Sequence, residues 1–463
     1  MSKSLTLDYT NMLAASLGDT GLNPERLHGD LAARFEVAYA GVERERASGR
    51  MGFFGLPHDE ASLRCTREVA DDFGQRFENL VILGIGGSAL GALTIRDALL
   101  GPSWNERSKE HRRGRPRLYV ADNADPASLS DLLGRLDLSR TLFNVISKSG
   151  STAETIASYL VVEERLRQAV GLEEAKAHLL FTTDAERGPL RQVAEDEGIA
   201  SLAVPGNVGG RFSVLSPVGT LPAVLTGVDV EALLAGAAAM DERCRTDKLS
   251  KNPAGMFAAL LHSADTEAAR PIHVLMPYAD RLRSLGLWFQ QLWAESLGKA
   301  LSLQGEEVQT GPTPLAALGA SDQHAQVQLF MEGPHDKVVV FVSADSGVDL
   351  TIPSHREAMS GMGYLAGHSV GELLDFERRA TAEALRQRGR PNMTIEMGTI
   401  DAFGLGQVLM MFEIATVYAG MLYGVDSLIQ PGVELGKELT YGLLGRDGYE
   451  PPDLPAPDPR WRI

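Results

Sequence analysis

The chain has 463 residues, 44% of them hydrophobic and 6% aromatic, and its formal net charge is −17. This length allows two or three domains with cores of their own, and the composition excludes a disordered or fibrous protein. The acidic balance disfavours nucleic acid as a partner, because phosphate backbones are bound by clustered lysine and arginine side chains. It also repels small anions at long range, so an anion site would depend on positive groups close to it.

Two features of the sequence bear on the cellular compartment. Cys65 and Cys244 are far apart and predict reduced thiols rather than a disulfide. The amino terminus lacks the basic and apolar segments of a signal peptide, and no uninterrupted apolar run is long enough to span a membrane. We therefore expect a cytoplasmic protein that has no membrane partner.

In chain order, residues 1–60 are polar and predict a helical amino-terminal arm. Residues 61–216 then alternate apolar strands with amphipathic helices, and the strands are NLVILGI, RLYVAD, TLFNVIS, HLLFTT and ASLAVP. Strands that are apolar throughout and alternate with helices indicate a parallel sheet covered on both faces. This region is therefore predicted to form a first, doubly wound α/β domain.

A mostly helical connection is predicted over residues 217–269, and a second α/β domain over residues 270–430. The predicted strands of this second domain are PIHVLMPY, KVVVFVSA and MTIEM, and its predicted helices are RLRSLGLWFQQLWAESLGKAL and AFGLGQVLMMFEIATVYAGMLYGV. Residues 431–463 form a carboxyl-terminal segment that ends in a proline-rich, extended tail. The two α/β units share a similar plan.

The segment ISKSGSTAET, residues 146–155, joins the carboxyl end of a predicted strand to the start of a helix. Ligands of doubly wound sheets bind at this edge, and a helix start offers unpaired N–H groups and partial positive charge. One serine would cap the helix, whereas five hydroxyl side chains lie here: Ser147, Ser149, Ser151, Thr152 and Thr155. The segment therefore favours a site for an anion such as a phosphate monoester over a simple cap.

A glycine-rich turn, LGIGGSALG, follows the first strand of the same sheet. Gly84, Gly86 and Gly87 allow a ligand to approach the backbone, and Ser88 can cap the next helix. The spacing differs from the GxGxxG fingerprint, so a nicotinamide cofactor is disfavoured. No P-loop, nucleophile elbow or set of metal ligands is apparent, and we expect neither a cofactor nor a metal.

Two segments contain side chains that suit charge stabilisation and proton abstraction. VGGRFSVLSP places two glycines beside Arg211, which is either a stabiliser of negative oxygen or an ordinary loop arginine. In the helix WFQQLWAESLGK, Gln291 and Glu295 lie one turn apart, with apolar residues at the same spacing. Glu295 is therefore either a general base in apolar surroundings or a helix-face partner of Lys299.

Two further segments contain candidate groups for proton transfer. SDQHAQVQLF places His324 at a helix start, where a histidine can exchange protons near neutral pH. IQPGVELGKEL contains Gln430 and Lys437 in a glycine-flanked setting. A lone histidine is usually structural and most lysines are surface charges, so neither segment is decisive by itself.

In this order, the segments VILGIGGSALG, VISKSGSTAET, NVGGRFSVLSPVG, AESLGK, DQHAQ and IQPGVELGK resemble the glucose-6-phosphate isomerase (phosphoglucose isomerase) family. The resemblance covers nearly the whole chain, from about Leu80 to Leu444. It implies two sugar-isomerase (SIS-type) domains, each a doubly wound parallel-sheet αβα sandwich. It also implies a homodimer that interconverts glucose 6-phosphate and fructose 6-phosphate in glycolysis and gluconeogenesis, with active sites drawn from both subunits.

The resemblance assigns substrate binding to two groups of residues. The phosphate would be bound by Ser147, Ser149 and Thr152, with Ser88 beside it, and Gly87 and Lys148 would also contact the substrate. Gln291 and Gln430 would position the sugar or its phosphate.

The resemblance also assigns the catalytic steps. Glu295 would move a proton between C1 and C2 through a cis-enediol intermediate without a metal, and Arg211 would stabilise the negative oxygen. His324, contributed by the neighbouring subunit, would assist ring opening together with Lys437.

Two other functions are less well supported. A non-catalytic SIS-type sensor would need only the phosphate loops, but sensors usually carry a basic DNA-binding module, and none is evident here. An amidotransferase would need a cysteine after the initiator methionine, where this chain has Ser2. The SKSGST loop differs from animal-type members of the family, so mannose 6-phosphate is a further candidate substrate.

Overall fold

Two five-stranded sheets organise the computed structural model, which describes residues 4–74 and 76–463. The strands are β1 Thr6–Asp8, β2 Asn79–Leu83, β3 Arg117–Ala121, β4 Thr141–Ser147, β5 Leu179–Asp184, β6 Ala200–Val204, β7 Ile272–Pro277, β8 Lys299–Leu301, β9 Glu307–Thr310, β10 Thr313–Ala316, β11 Lys337–Asp345 and β12 Asn392–Thr399. The α-helices are α1 Ala14–Leu17, α2 Asp30–Ala47, α3 Glu60–Phe73, α4 Leu90–Ile95, α5 Pro126–Arg135, α6 Ala153–Val170, α7 Leu172–Ala175, α8 Pro189–Glu197, α9 Pro217–Thr226, α10 Val230–Cys244, α11 Pro253–Ala268, α12 Arg283–Leu297, α13 Val327–Glu332, α14 Val370–Gln387, α15 Ala402–Tyr423 and α16 Glu434–Leu443.

The first sheet has the strand order β3-β2-β4-β5-β6, and all of its strands run parallel. Alternate residues of β2 enter different apolar clusters: Leu80 and Ile82 belong to one, and Val81 and Leu83 to another. Because successive side chains of a strand point to opposite faces, this sheet is covered on both faces, as its apolar strands predicted.

The second sheet has the order β1-β12-β11-β7-β10. Strands β12, β11, β7 and β10 are parallel, whereas β1 pairs with β12 antiparallel and places Thr6 opposite Glu396. The predicted helical arm therefore also contributes β1, an edge strand of the second sheet that the sequence did not predict. A strand of three residues has no detectable periodicity, and its partner lies far away in the sequence.

The helix that carries Glu295 is shorter than the sequence suggested. α12 ends at Leu297 rather than continuing through KAL, because Gly298 adopts an extended conformation at its carboxyl cap. Residues Lys299–Leu301 then form β8, which pairs with β9 in a small antiparallel sheet.

The apolar helix α15 forms the centre of the largest apolar cluster. Its length and composition would allow it to cross a membrane, but 89% of its most apolar window is buried inside the protein. It packs against α10 backbone to backbone: a Cβ atom at Gly406 would lie 1.9 Å from the carbonyl oxygen of Leu233. A Cβ atom at Gly236 would lie 1.9 Å from the carbonyl oxygen of Phe403. The two glycines therefore permit this helix pair.

Candidate active site

A cavity of about 370 Å³ lies at the carboxyl edge of the first sheet, where α12 and the segment around α16 approach it. All of the residues predicted to form the site line this cavity except Ser147 and His324. Parallel strands end at the same edge of a sheet, which explains how the glycine-rich turn and the hydroxyl-rich loop come together.

A larger cavity, of about 870 Å³, lies at the carboxyl edge of the second sheet and contains none of the predicted site residues. Acidic side chains from four segments line it, among them Asp280, Asp345, Glu372 and Glu396. An anionic substrate is disfavoured there, so the chemistry of the lining side chains favours the smaller cavity.

The hydroxyl-rich loop connects β4 to α6 and presents Ser149 and Thr152 to the cavity. Thr152 is the amino-terminal cap residue of α6, but its side chain does not cap the helix. Its Oγ1 atom lies 2.9 Å from Oγ of Ser147, which is buried. Ser147 therefore contacts Thr152 from the buried side and does not reach the cavity. The backbone N–H groups at the start of α6 have no side-chain cap and are open to an anion.

The glycine-rich turn after β2 packs directly on the loop that carries Arg211. A Cβ atom at Gly87 would lie 2.3 Å from the carbonyl oxygen of Gly210 and 2.7 Å from the backbone nitrogen of Arg211. This contact brings Ser88 and Arg211 into one cavity. Only glycine allows it without moving one of the loops.

Arg211 is buried and held by several acceptors. Its Nε donates to Oγ of Ser296 at 2.7 Å, its Nη2 to the carbonyl oxygen of Ser427 at 2.6 Å, and its Nη1 to Oε1 of Gln430 at 2.9 Å. Nη1 also lies 3.7 Å from Oε2 of Glu295. Burial lowers the pKa of Arg211, and the neighbouring carboxylates partly offset this. The guanidinium is therefore rigidly placed beside Glu295.

The Glu295 side chain is 26% exposed and faces the cavity. Nε2 of Gln291 donates to its Oε2 at 3.1 Å, across one turn of α12. The Glu295 carboxylate does not pair with Lys299, which was the alternative prediction. Nζ of Lys299 instead donates to the backbone carbonyl oxygens of Glu295 and Ser296. Burial lowers the pKa of Lys299 to about 8. The carboxylate remains available to a ligand.

Lys437 and His324 lie in different surroundings. Lys437 stands on α16, lines the cavity, and donates from Nζ to Oε1 of Glu434 at 2.8 Å. His324 follows a short 3-10 turn at Ser321–Gln323, is exposed and does not line the cavity.

Three further charged side chains, Lys148, Asp184 and Arg187, lie in the cavity wall. Asp184, the last residue of β5, and Arg187, in the loop that follows it, also line the cavity and were not predicted from the sequence. The sequence could have indicated these two residues only through their position at the end of β5, the strand next to β4 in the sheet. Lys148 donates from Nζ to the carbonyl oxygens of Gly206 and Val208 at 2.8 and 2.7 Å, and burial lowers its pKa.

No group of three or more His, Cys, Asp or Glu side chains in residues 4–74 and 76–463 is arranged to hold an ion.

Comparison with known proteins identifies the family. The phosphoglucose isomerase family model matches residues 66–446. Glucose-6-phosphate isomerase of Carboxydothermus hydrogenoformans is 41% identical over 449 residues, covering 96% of each chain. That of Rubrobacter xylanophilus is 45% identical over 450 residues, covering 96% of this chain and 99% of the relative.

Two crystal structures are also similar. A hypothetical protein from Thermus thermophilus superposes with a TM-score of 0.84 at 38% identity, covering 95% of this chain and 100% of the other. A glucose-6-phosphate isomerase from Chlamydia trachomatis superposes with a TM-score of 0.73 at 26% identity, covering 84% and 74%. The chain therefore belongs to the phosphoglucose isomerase family, as its ordered motifs predicted.

Proposed function

We propose that the chain interconverts glucose 6-phosphate and fructose 6-phosphate by moving a proton between C1 and C2, through a cis-enediol intermediate and without a metal ion. The observation that supports this most directly is the meeting of three groups in one cavity: the loop of Ser149 and Thr152, the carboxylate of Glu295 and the guanidinium of Arg211. The cavity volume of about 370 Å³ suits a small-molecule ligand.

Substrate binding would depend on the start of α6. The uncapped amino terminus offers backbone N–H groups and partial positive charge, and Ser149 and Thr152 add hydroxyl donors. Such a site binds the phosphate locally, in spite of the net charge of −17 on the chain. Gln291 and Gln430 would position the sugar.

Proton transfer would follow in the same cavity. The hydrogen alpha to a carbonyl is weakly acidic, so its removal needs a placed base and stabilisation of the enediolate oxygen. Glu295 would supply the base, a contribution of about 10²–10⁴-fold in related systems. Arg211, buried and fixed, would stabilise the negative oxygen, and losing such a group typically costs about 10²–10³-fold.

Ring opening would require a second subunit. We assign this step to Lys437 together with His324 of the partner subunit, in a homodimer. Two observations support the assignment: Lys437 lines the cavity, and His324 is exposed outside the cavity of its own subunit. A cytoplasmic location suits this function, and both cysteines are free thiols.

A coupled assay tests the reaction. Fructose 6-phosphate is added to the purified protein and glucose 6-phosphate is detected, with and without EDTA, and we expect the same turnover in both. Absence of turnover under either condition would refute the proposal. Mannose 6-phosphate as substrate in the same experiment measures sugar selectivity.

Glu295→Gln tests the base. We expect its turnover to fall by at least about 10²-fold while binding of the phosphosugar is retained, because the amide keeps the shape of the side chain but accepts no proton. Glu174→Gln, an exposed change on α7, is the control and should match the wild type. Near-normal activity of Glu295→Gln would remove Glu295 as the base.

Mixed dimers test the origin of the histidine. Glu295→Gln and His324→Ala are each expected to be inactive, but a mixed dimer contains one complete site if the histidine is supplied across the interface. Random mixing in equal amounts should therefore restore about a quarter of the wild-type activity. If both residues act within one subunit, mixing restores nothing.

A further inference from the structure

The loop between β5 and α8 places Arg187 in the wall of the same cavity, next to the hydroxyl-rich loop. We infer that Arg187 is a further phosphate-binding residue, whose guanidinium closes over the phosphate of the substrate. This inference rests on the proposed function and names a residue that the family motifs of the sequence do not include.

The first argument compares the cations in the cavity wall. Lys148 is occupied by two backbone carbonyls, and Arg211 by Ser296, Ser427 and Gln430, while Lys437 is paired with Glu434. Arg187 is exposed, and over residues 4–74 and 76–463 its guanidinium has no hydrogen bond or ion pair. Among these four cations it is the one with its full donor set free for a ligand.

The second argument is the position of the loop. A Cβ atom at Gly188 would lie 2.4 Å from the carbonyl oxygen of Ser149, and one at Gly150 would lie 3.1 Å from the backbone nitrogen of Leu190. Both glycines have positive φ, so the two loops interlock through conformations that other residues rarely adopt. The backbone of Arg187 is thereby held directly beside the phosphate loop.

Neither Asp184 nor Glu186, the carboxylates closest in sequence, forms a direct ion pair with the Arg187 guanidinium within the described residues. Oδ1 of Asp184 accepts the backbone N–H groups of Glu186 and Arg187, at 2.9 and 3.1 Å. These two bonds lower the pKa of Asp184 and fix the turn, and the nearby charges of Lys148 and Arg187 lower the pKa further. The turn is thus held by hydrogen bonds at its base, and the exposed side chain of Arg187 lines the cavity.

The chemistry of the ligand matches this arrangement. A phosphate monoester carries a charge of about −1.5 to −2 at neutral pH, and a planar guanidinium binds its oxygens with two parallel hydrogen bonds. Because Arg187 would contact the phosphate equally before and during proton transfer, its contribution is to binding and not to the chemical step.

Arg187→Ala is compared with Arg388→Ala in the test. Arg388 follows α14, is likewise exposed, and its side chain forms no hydrogen bond or ion pair within the described residues. Three quantities are measured: the dissociation constant of inorganic phosphate by calorimetry, and KM and kcat for fructose 6-phosphate. For Arg187→Ala we expect phosphate binding to weaken and KM to rise by about tenfold with kcat within about twofold, as for loss of a charged hydrogen-bond donor.

Arg187→Lys should recover part of the affinity, because it restores the charge without the planar fork. Arg388→Ala should equal the wild type in all three measurements. Unchanged phosphate affinity and KM in Arg187→Ala would overturn the inference, and so would a loss of kcat at unchanged KM. Since calorimetry with phosphate needs no turnover, Arg187-dependent binding would support the inference even if the isomerase assay failed.

Discussion

Glu413 is a fully buried carboxyl group in the middle of α15, and neither of its oxygens has a hydrogen-bond partner within the described residues. Desolvation raises its pKa well above the ordinary value of 4.5. The folded protein therefore keeps this group protonated where the unfolded chain releases the proton. Above pH 4.5 and up to the raised pKa, stability should fall as pH rises, because the unfolded state binds fewer protons.

Glu413→Gln should remove this pH dependence. The amide resembles the protonated carboxyl group in shape and cannot ionise, so the variant should equal the wild type near pH 4.5. It should then gain up to about 1.4 kcal/mol in relative stability for each pH unit above that value, until the raised pKa is reached.

Urea denaturation over a pH series measures the difference. Glu174→Gln, on the surface, is the matched control and should follow the wild type at every pH. Identical pH profiles for Glu413→Gln and the wild type would contradict the prediction.

Gly87 determines where Arg211 sits relative to the rest of the cavity. In Gly87→Ala the new methyl group would meet the backbone at Gly210 and Arg211, so one of the two loops must move. A displacement of about 1 Å in a catalytic group can cost about 10²-fold in rate, and we expect kcat to fall by about this factor.

Steady-state kinetics of Gly87→Ala and Gly206→Ala provide the comparison. A Cβ atom at Gly206 would lie in open space near the same loop, so this variant should retain normal kcat. Normal kcat in Gly87→Ala would contradict the prediction, because it would mean that moving one of these loops does not disturb Arg211.

At the scale of elements, the α10–α15 contact should be sensitive to a single methyl group. Gly406→Ala places that group against the carbonyl oxygen of Leu233, and overpacking of this kind typically costs about 1–3 kcal/mol. We expect the free energy of unfolding of Gly406→Ala to fall by about 1–3 kcal/mol. Urea denaturation measures it.

Gly134→Ala is the control for the effect of adding a methyl group to a helix. Gly134 lies in α5 with no atom within 4 Å of its Cβ position, so alanine should be neutral or stabilise by about 0.5–1 kcal/mol. Equal stabilities of the two variants would mean that the α10–α15 backbone contact is not tight.

At the scale of the whole molecule, α16 presents an apolar face to solvent. Leu435, Leu439 and Leu443 are 65%, 38% and 59% exposed and lie four residues apart, on one side of the helix that also carries Lys437. An exposed apolar face of this kind usually marks an interaction surface. It suits the proposed homodimer, in which the active site depends on the partner subunit.

The double variant Leu435→Glu and Leu439→Glu should therefore shift the protein to monomers and lose activity together, because charged groups oppose burial at an interface. Sedimentation velocity and the coupled assay measure the two effects. Val37→Glu, at an apolar position of α2 that is 73% exposed, should remain dimeric and active. A dimeric, active double variant would exclude α16 from the interface.

The sequence by itself determined the strands of the first sheet and the order of the motifs. Continuous apolar runs such as those of β2 and β4 are local signals, and so are glycine-rich turns and hydroxyl-rich helix starts. They predicted the α/β architecture, the family and most of the residues that line the cavity. Such local signals are sufficient because the burial of a strand and the conformation of a turn depend on a few adjacent residues.

Only the tertiary structure decided how those residues are oriented. Arg211 is fixed by Ser296 and Gln430, which are 85 and 219 residues away, and no local pattern specifies such partners. The same holds for Ser147, which lies behind Thr152, and for Arg187, which becomes distinctive only because the neighbouring cations are occupied. Hydrogen-bond partners depend on distant segments of the chain, so side-chain roles emerge only once those segments have packed together.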